Sequence, residues 1–524
     1  MIEAQAGDTP ADVHIPGQVA RGSVWSIFGK VAVLLASLIG MPFTLRLLGS
    51  AEFGVWTLMS TIMTYLVIVD FGMATASTKS AGEAFQKAEP ESEARAVWTA
   101  LGIASVVGTM SALLLALLAP RIAALLSVPQ DLRRQAVLAL RLISVTLILR
   151  ALTSVVNTPS LVRFRWKGVT FATAGPAVAL ALLTPICLFL THGGIVTIAV
   201  AAVGAGLIAL VSNALIAIRL QPKLLSTGVD LRLVRGLSKY GSTLTAAALV
   251  LLPLAIAERF LLAHYWSPMV VAPYAVAITF AGALSVIPVA AAAPLLPAFV
   301  RMFEMKDWAR LRLLYRQTTQ ALLMILAPAA MFLAFLSAPL LRLYAGAGYG
   351  RHSVGPFLIL LPGVVVNAMA YVPYNFLLAS GRVRTILFVH LLQTVPYVVV
   401  AAWLTSRHQA TGAAAAWTLR VVLDSVLFYV IVGRDQRLTQ RIGDLIDARA
   451  ALLIGGLGVA LTGLSQIEPG PAGRIALVCV LGPVYLAAAF RAVLLPQQRQ
   501  ALVDQVRRTM SGRRREPAVT GAEA

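Results

Sequence analysis

A helix must run through about 20 apolar residues to cross the hydrocarbon of a bilayer, and this chain offers such a run again and again. Fourteen runs fall at residues 23–45, 54–77, 97–119, 136–158, 169–190, 195–218, 241–263, 272–297, 317–341, 354–379, 383–406, 411–433, 449–466 and 472–493 of 524. Little chain remains between them, which excludes a membrane-anchored enzyme with a globular catalytic half. Composition agrees: 59% of residues are hydrophobic and 12% charged, against about 45–50% apolar and 25% charged in soluble globular chains. The expected fold is therefore an all-α polytopic membrane protein of about 14 transmembrane helices.

A formal charge of +21 would point to nucleic acid in a soluble chain, but in a membrane protein the side on which each Lys and Arg lies must be settled first. With both termini placed in the cytoplasm, the inner segments hold 30 of the 43 Lys and Arg and the outer loops hold 8. Five lie within spans: Lys30, Arg141, Arg150, Arg259 and Arg420. That bias supports an even number of spans, and the basic segments are expected to rest on anionic lipid. The tail with Arg507, Arg508, Arg513, Arg514 and Arg515 reads likewise as a disordered, surface-associated segment, so no nucleic-acid partner is expected. Cys187 and Cys479 both fall inside apolar runs and read as core residues rather than a disulfide or metal pair. No basic segment with a small-residue cleavage site precedes the first run, so no removable signal peptide is expected.

The stretch Leu161 to Gly193 echoes Ser380 to Gly412 at a shift of 219, which sets Arg163 on Arg382, Arg165 on Arg384 and Gly193 on Gly412. Near the start of each half, Phe53-Gly54-Val55-Trp56 falls on Val271-Ala272-Pro273-Tyr274 at a shift of 218. Six spans separate the matched segments, so both copies cross the membrane in the same sense. Two parallel-related six-helix lobes follow, with a cavity between them and an appended helix pair. The expected divisions are a cytoplasmic tail at 1–22, an N-lobe at 23–218, a linker at 219–240, a C-lobe at 241–433, the last two helices at 434–493 and a basic tail at 494–524.

A charge at mid-bilayer costs about 2.5 to 3.5 kcal/mol on insertion scales, so it normally faces a cavity or a partner. Lys30 shares a polar helical stripe with Ser23, Ser26, Ser37 and Thr44, and Arg150 shares one with Thr146, Thr153, Ser154 and Asn157. Arg141, on the opposite side and near a helix end, reads as a snorkelling residue. Arg259 falls on a face with Ser238 and Thr245, beside Glu258 in sequence. Arg420 and Asp424, spaced i,i+4, are placed to neutralise each other. Lys30, Arg150 and Arg259 thus lack a carboxylate partner on their own helical faces, and a cavity lined by them would attract an anion such as phosphate. The competing explanation is ion pairing between helices, for example Lys30 with Asp70 or Arg150 with Glu258. Asn367, Tyr371 and Tyr374 form one stripe able to hydrogen-bond and stack on sugar rings, or to pack as an ordinary helix face. His390 is a candidate proton carrier or a satisfied core histidine. No phosphate-binding GxxxxGK[ST] loop, HExxH, GxSxG or paired-cysteine motif occurs, so translocation is expected rather than catalysis, with no cofactor and no metal.

The run LRLLGSAEFGVWTLMSTIMTYLVIVDFGMATA, Leu45 to Ala76, resembles the first hairpin of bacterial polysaccharide (O-antigen type) flippases of the multidrug/oligosaccharidyl-lipid/polysaccharide exporter (MOP) superfamily. Its GxxEFG turn and Asp70-Phe71-Gly72 carry the likeness, together with Pro297 to Gln317, Arg342 to Tyr349 and Leu377 to Thr385. The resemblance implies a two-lobed inner-membrane protein that alternates its access and moves undecaprenyl-diphosphate-linked oligosaccharide to the periplasmic leaflet for surface polysaccharide. It also implies coupling to a proton or sodium gradient or to the membrane potential. Asp70, Glu258, Arg420 and Asp424 are the coupling or gating candidates, and membrane lipids, a polysaccharide polymerase and chain-length proteins the expected partners. Many relatives follow the acidic residue of this helix with an apolar one, whereas here Glu258 precedes Arg259. The alternatives are a cation-coupled drug or metabolite antiporter, a peptidoglycan-precursor flippase of the same superfamily, and a membrane polymerase or ligase acting on the same lipid.

Overall fold

In lipid no water is available to the backbone, so a spanning chain must satisfy its amides internally and a helix does so residue by residue. The computed structural model describes residues 15–65, 72–163, 165–438, 448–467 and 470–492, and among these no strand occurs. The N-terminal lobe holds α1 (Ile15–Tyr65), α2 (Met73–Gln86), α3 (Pro90–Leu125), α4 (Gln130–Val156), α5 (Thr158–Val162), α6 (Trp166–Thr191) and α7 (Ile195–Leu220). A short 3-10 turn, Pro222–Leu225, leads to the C-terminal lobe of α8 (Leu231–Tyr265), α9 (Pro268–Ala283), α10 (Val286–Glu304), α11 (Trp308–Ala345), α12 (Ala347–Ala379) and α13 (Val383–Gly433). The appended pair is α14 (Ala448–Gln466) and α15 (Pro471–Ala492).

Ten described helices are long and apolar enough to cross a membrane. The fourteen apolar runs are not fourteen separate helices. Runs one and two share α1, which breaks at Gly49 (φ 75, ψ 175), and runs eleven and twelve share α13, which breaks at His408 and Gln409. Gly49 has the positive φ that a Cβ penalises. The expected span 54–77 leaves α1 at residue 65 and resumes in α2 behind Gly72 (φ 61), and the span 272–297 is divided between α9 and α10. The tail at 494–524 and Asp70 lie outside the described residues.

Helices pack mainly within each lobe: α1 on α6, α3 and α7 on α4 in the first, and α11 and α8 on α12 and α13 in the second. The lobes meet chiefly where α1 crosses α9; a Cβ on Gly54 would overlap the carbonyl of Pro268, so only glycine admits that approach. The α14–α15 pair docks on α11 through Met324, Phe335, Leu457 and Tyr485.

A proline at position i removes the amide that would bond the carbonyl of residue i−4. Four such freed carbonyls are taken up by side chains from other helices. Tyr344 on α11 donates to Leu38, freed by Pro42, at 2.8 Å, and Tyr429 on α13 donates to Met369, freed by Pro373, at 2.9 Å. From α15, Tyr485 donates to Met324, freed by Pro328, at 3.2 Å, and Arg474 to Phe335, freed by Pro339, at 3.0 Å. At these four prolines the freed carbonyl is a point of attachment for a neighbouring helix.

Candidate functional site

The two ends of the bundle differ. At the basic end, Arg163 grips Glu93 with both terminal nitrogens, and Gln221 donates to the same carboxylate at 2.8 Å. Arg382, which the repeat sets on Arg163, pairs with Asp435 at 2.8 Å. Both contacts stay within a lobe, but the Thr99 hydroxyl on α3 donates to the Asp230 carbonyl at 3.3 Å and accepts from the Asp230 amide at 2.9 Å at the start of α8, so the lobes touch at this end as well. At the opposite end, side chains join the lobes: Tyr344 reaches Leu38, Arg46 donates to the Leu343 carbonyl at 3.1 Å, and Ser127 to the His264 carbonyl at 3.3 Å.

Between these ends the polar groups gather at the seam. Arg150, on α4, donates to the Met63 carbonyl at 3.3 Å, and Arg259, on α8, donates to the Thr61 hydroxyl at 3.0 Å. One stretch of α1, residues 61–63, therefore receives a guanidinium from each lobe. Lys30 is exposed, and no contact among the described residues ties it to that cluster.

Glu258 is fully buried, a position an anion tolerates only with its oxygens satisfied. Tyr397 donates to one oxygen at 2.7 Å and Tyr274 to the other at 3.3 Å, and Arg259 Nε lies 3.9 Å from that second oxygen. The Arg420 guanidinium lies over the Tyr397 ring, 5.6 Å from its centroid. The alternative Arg150–Glu258 pair is not found among the described residues, where Glu258 is engaged by its sequence neighbour and two tyrosines.

The expected neutralisation of Arg420 by Asp424 is also corrected. Asp424 accepts from Gln393 at 3.0 Å and has His390 Nε2 at 3.4 Å, both from the first half of α13, and no Arg420–Asp424 ion pair is found among the described residues. The i,i+4 spacing permits that pair, but tertiary partners on the facing helix win. His390 Nδ1 and the Gln393 amide oxygen are buried without a hydrogen-bond partner. On α12, Tyr374 packs edge-on against Phe428, the Tyr371 carbonyl accepts from Asn375, and Asn367 is half-buried. Tyr374 thus serves packing, while the stripe's three residues remain on one helix. Thr61, Tyr274 and Tyr397 were not singled out by sequence reasoning. The usable signal was lone tyrosines in apolar runs, whose hydroxyls must find partners when buried. Among the described residues, no group of three or more His, Cys, Asp and Glu could hold a metal ion.

The fold defines a multi-pass, all-helical membrane protein of two lobes, with Arg150 and Arg259 meeting α1 from either side. Its sequence matches the family described as polysaccharide biosynthesis protein over residues 44–353, more than half of the chain, and the protein belongs to that family. A putative O-antigen transporter of Shigella flexneri is 21% identical over 411 residues, which cover 78% of this chain and 96% of the relative. Among solved structures, the lipid II flippase MurJ in an inward closed conformation aligns with a TM-score of 0.66 at 11% identity, covering 90% of this chain and 98% of that one. An inward-facing multidrug resistance MATE family transporter of the MOP superfamily aligns with a TM-score of 0.64 at 11% identity, covering 83% and 95%. At these identities the structural likeness is one of fold.

Proposed function

We propose that this protein flips an undecaprenyl-diphosphate-linked oligosaccharide from the cytoplasmic to the periplasmic leaflet of a bacterial inner membrane, for surface polysaccharide synthesis. The observation that carries the proposal is the likeness to an O-antigen transporter along 96% of that relative's length. The seam supports it: Arg150 and Arg259 reach the same turn of α1 from opposite lobes, where a diphosphate between the lobes would meet both. Arg suits such an anion because its planar fork can contact two oxygens at once. The sugars occupy the polar interior and the polyprenyl tail stays in lipid.

Side chains join the lobes at the end opposite the basic one, and Thr99 with Leu237 joins them at the basic end, so alternating access requires breaking one set of these contacts at a time. The basic end then faces the cytoplasm, with both termini. An inside-negative membrane potential favours outward movement of an anion by about 2.3 kcal/mol per charge per 100 mV, so the potential supplies the drive. A polymerase and chain-length proteins receive the product.

Deletion of the gene tests the reading. Loss of surface polymer with diphosphate-linked repeat units accumulating on the cytoplasmic leaflet is expected. Normal polymer with altered drug or cation sensitivity overturns the proposal in favour of an antiporter.

A further inference from the structure

We propose that a groove between α1 and α6, at the end opposite the basic one, binds an anionic phospholipid whose phosphate takes Arg46 and whose acyl chain lies along the groove, and that this lipid helps to hold the lobes together there. The two helices touch closely at one point: a Cβ on Gly40 would overlap the carbonyl of Ala181, the carbonyl that Pro185 leaves without an amide. One turn further on they stand apart. The space between them is a groove of about 390 Å³, lined by Phe43 and Leu47 of α1 and by Ile186, Phe189 and Leu190 of α6. Arg46 is the one charged residue of that lining.

The apolar lining residues Phe43, Leu47, Ile186, Phe189 and Leu190 are all exposed, which in a bilayer means that they face hydrocarbon. Arg46 is exposed too, and among the described residues it has no carboxylate partner. One of its terminal nitrogens donates to the Leu343 carbonyl of α11 at 3.1 Å, which leaves Nε and the other terminal nitrogen for a second acceptor. At the other end of the same helix pair the cation is already occupied: Lys167 lies over the Trp25 ring, 5.7 Å from its centroid, and Phe28 and Phe171 pack against that ring. An uncompensated guanidinium above an apolar groove, near the end of a span, is complementary to a lipid with a net negative headgroup, whereas a zwitterionic lipid brings its own cation. Because the C-terminal lobe holds one nitrogen, the phosphate and the Leu343 carbonyl share a single guanidinium, and a lipid bound there favours the state in which the lobes meet. The groove lies away from the cluster at residues 61–63, so its occupancy does not depend on what the protein transports.

The test places the full-length protein in phosphatidylcholine nanodiscs with a trace of photoreactive phosphatidylglycerol or photoreactive phosphatidylcholine and maps the labelled peptides. Phosphatidylglycerol is expected to label α1 and α6 around Phe43 and Phe189 more than phosphatidylcholine by about tenfold or more, the scale of one charged hydrogen bond. Arg46→Gln is expected to remove that preference and Arg46→Lys to restore part of it. Ile186→Trp fills the groove from an exposed position and is expected to lower labelling by both lipids with Arg46 still present. Spin labels at the ends of α3 and α8 read the lobes: phosphatidylglycerol is expected to enlarge the closed population about fivefold in the wild type, the scale of one net hydrogen bond, and to leave it unchanged in Arg46→Gln. Equal labelling by the two lipids, a phosphatidylglycerol preference that survives Arg46→Gln, or a second copy of the chain that covers the groove and excludes both lipids overturns the site. Stronger displacement of the label by undecaprenyl phosphate than by unlabelled phosphatidylglycerol gives the groove to a polyprenyl lipid and overturns the phospholipid assignment. Labelling as expected with unchanged distances overturns the lipid's hold on the lobes.

Discussion

In the N-terminal lobe, Lys30 and Arg150 stand without a carboxylate partner among the described residues, whereas the charged groups at the heart of the C-terminal lobe are tied to one another across helices. Glu258 is held by α8, α9 and α13, Asp424 by two residues of the facing half-helix, and Arg420 by an aromatic ring. Both lobes share a helical plan, so the difference lies in which positions carry acids. Cross-tied side chains are fixed by several partners at once, while Arg150 is held by a single carbonyl. The C-terminal lobe is thus the frame and the N-terminal lobe the adaptable side of the seam.

The basic ends repeat the lesson. Arg163 and Arg382 occupy matching positions, yet the acid for the first comes from the start of α3 and the acid for the second from the turn after α13. Gln221, just after α7, also donates to Glu93. The arginine stayed in place while its counter-charge moved. The Glu93 side chain is 2% exposed with Arg163 at 19%, whereas Arg382 is 41% exposed above Asp435. Asp435 is itself only 3% exposed, so the like-for-like comparison removes the acid in both pairs: Glu93→Gln is expected to cost about 3 kcal/mol, the lower range for breaking a buried pair, and Asp435→Asn about 1 kcal/mol, because its arginine is largely solvated. Unfolding of the two variants in detergent micelles measures this, and equal losses would erase the distinction between the lobes.

Next in size is the effect of neutralising the free cations. Lys30→Gln and Arg150→Gln are each expected to lower flipping about tenfold or more, since a charged hydrogen bond is worth about 1.5 to 3 kcal/mol, with folding unchanged. Complementation of the deletion strain reads the first and unfolding the second. Intact transport in both variants would remove Lys30 and Arg150 from the site and leave the seam to the C-terminal lobe alone.

Helical class was legible because apolar runs of spanning length have one solution in lipid, and Arg150 and Arg259 stood out because a charge within a span is costly; the structure brings both to residues 61–63 of α1. What helical phase cannot see is the neighbouring helix. It placed Arg420 with Asp424 from spacing alone, although Gln393 and His390 from the facing helix decide the matter. It placed Glu258 beside Arg259 but could not supply Tyr274 and Tyr397, which lie far along the chain. A proline's position shows which carbonyl it frees, but not which side chain of a neighbouring helix takes that carbonyl up. Asp70, singled out with the hairpin resemblance, lies outside the described residues.

Those repairs separate the appended helices from the lobes. Arg474 and Tyr485 hold α15 against α11 by two proline-freed carbonyls, whereas Tyr429 performs the same task inside the C-terminal lobe. Arg474→Met with Tyr485→Phe is expected to destabilise by about 2 kcal/mol, two net hydrogen bonds, and to loosen α14 and α15 selectively. Hydrogen exchange localised to α14 and α15 checks it. Uniform loosening of all helices would mean that the pair is part of the C-terminal lobe rather than an attachment to it.

The smallest expected effect concerns the contact that most directly opposes lobe separation. Tyr344 belongs to the C-terminal lobe and its acceptor, Leu38, to the N-terminal lobe, so the bond must break if the lobes part at that end. Pro42 makes the acceptor available, and breaking the bond returns that carbonyl to having no amide partner. Tyr344→Phe keeps the ring and its edge-on contact with Phe280, 4.3 Å between centroids, and deletes only the hydroxyl. One net hydrogen bond of about 1 kcal/mol shifts a two-state population about fivefold, and the Arg46 and Ser127 contacts remain to limit the change. Spin-label distances between the ends of α3 and α8 are expected to show a larger open population. Tyr429→Phe makes the same chemical change within one lobe and is expected to leave those distances as they are. If both variants shift them equally, the hydroxyl of Tyr344 contributes only stability, and closure at that end falls to Arg46 and to the close approach of Gly54 and Pro268.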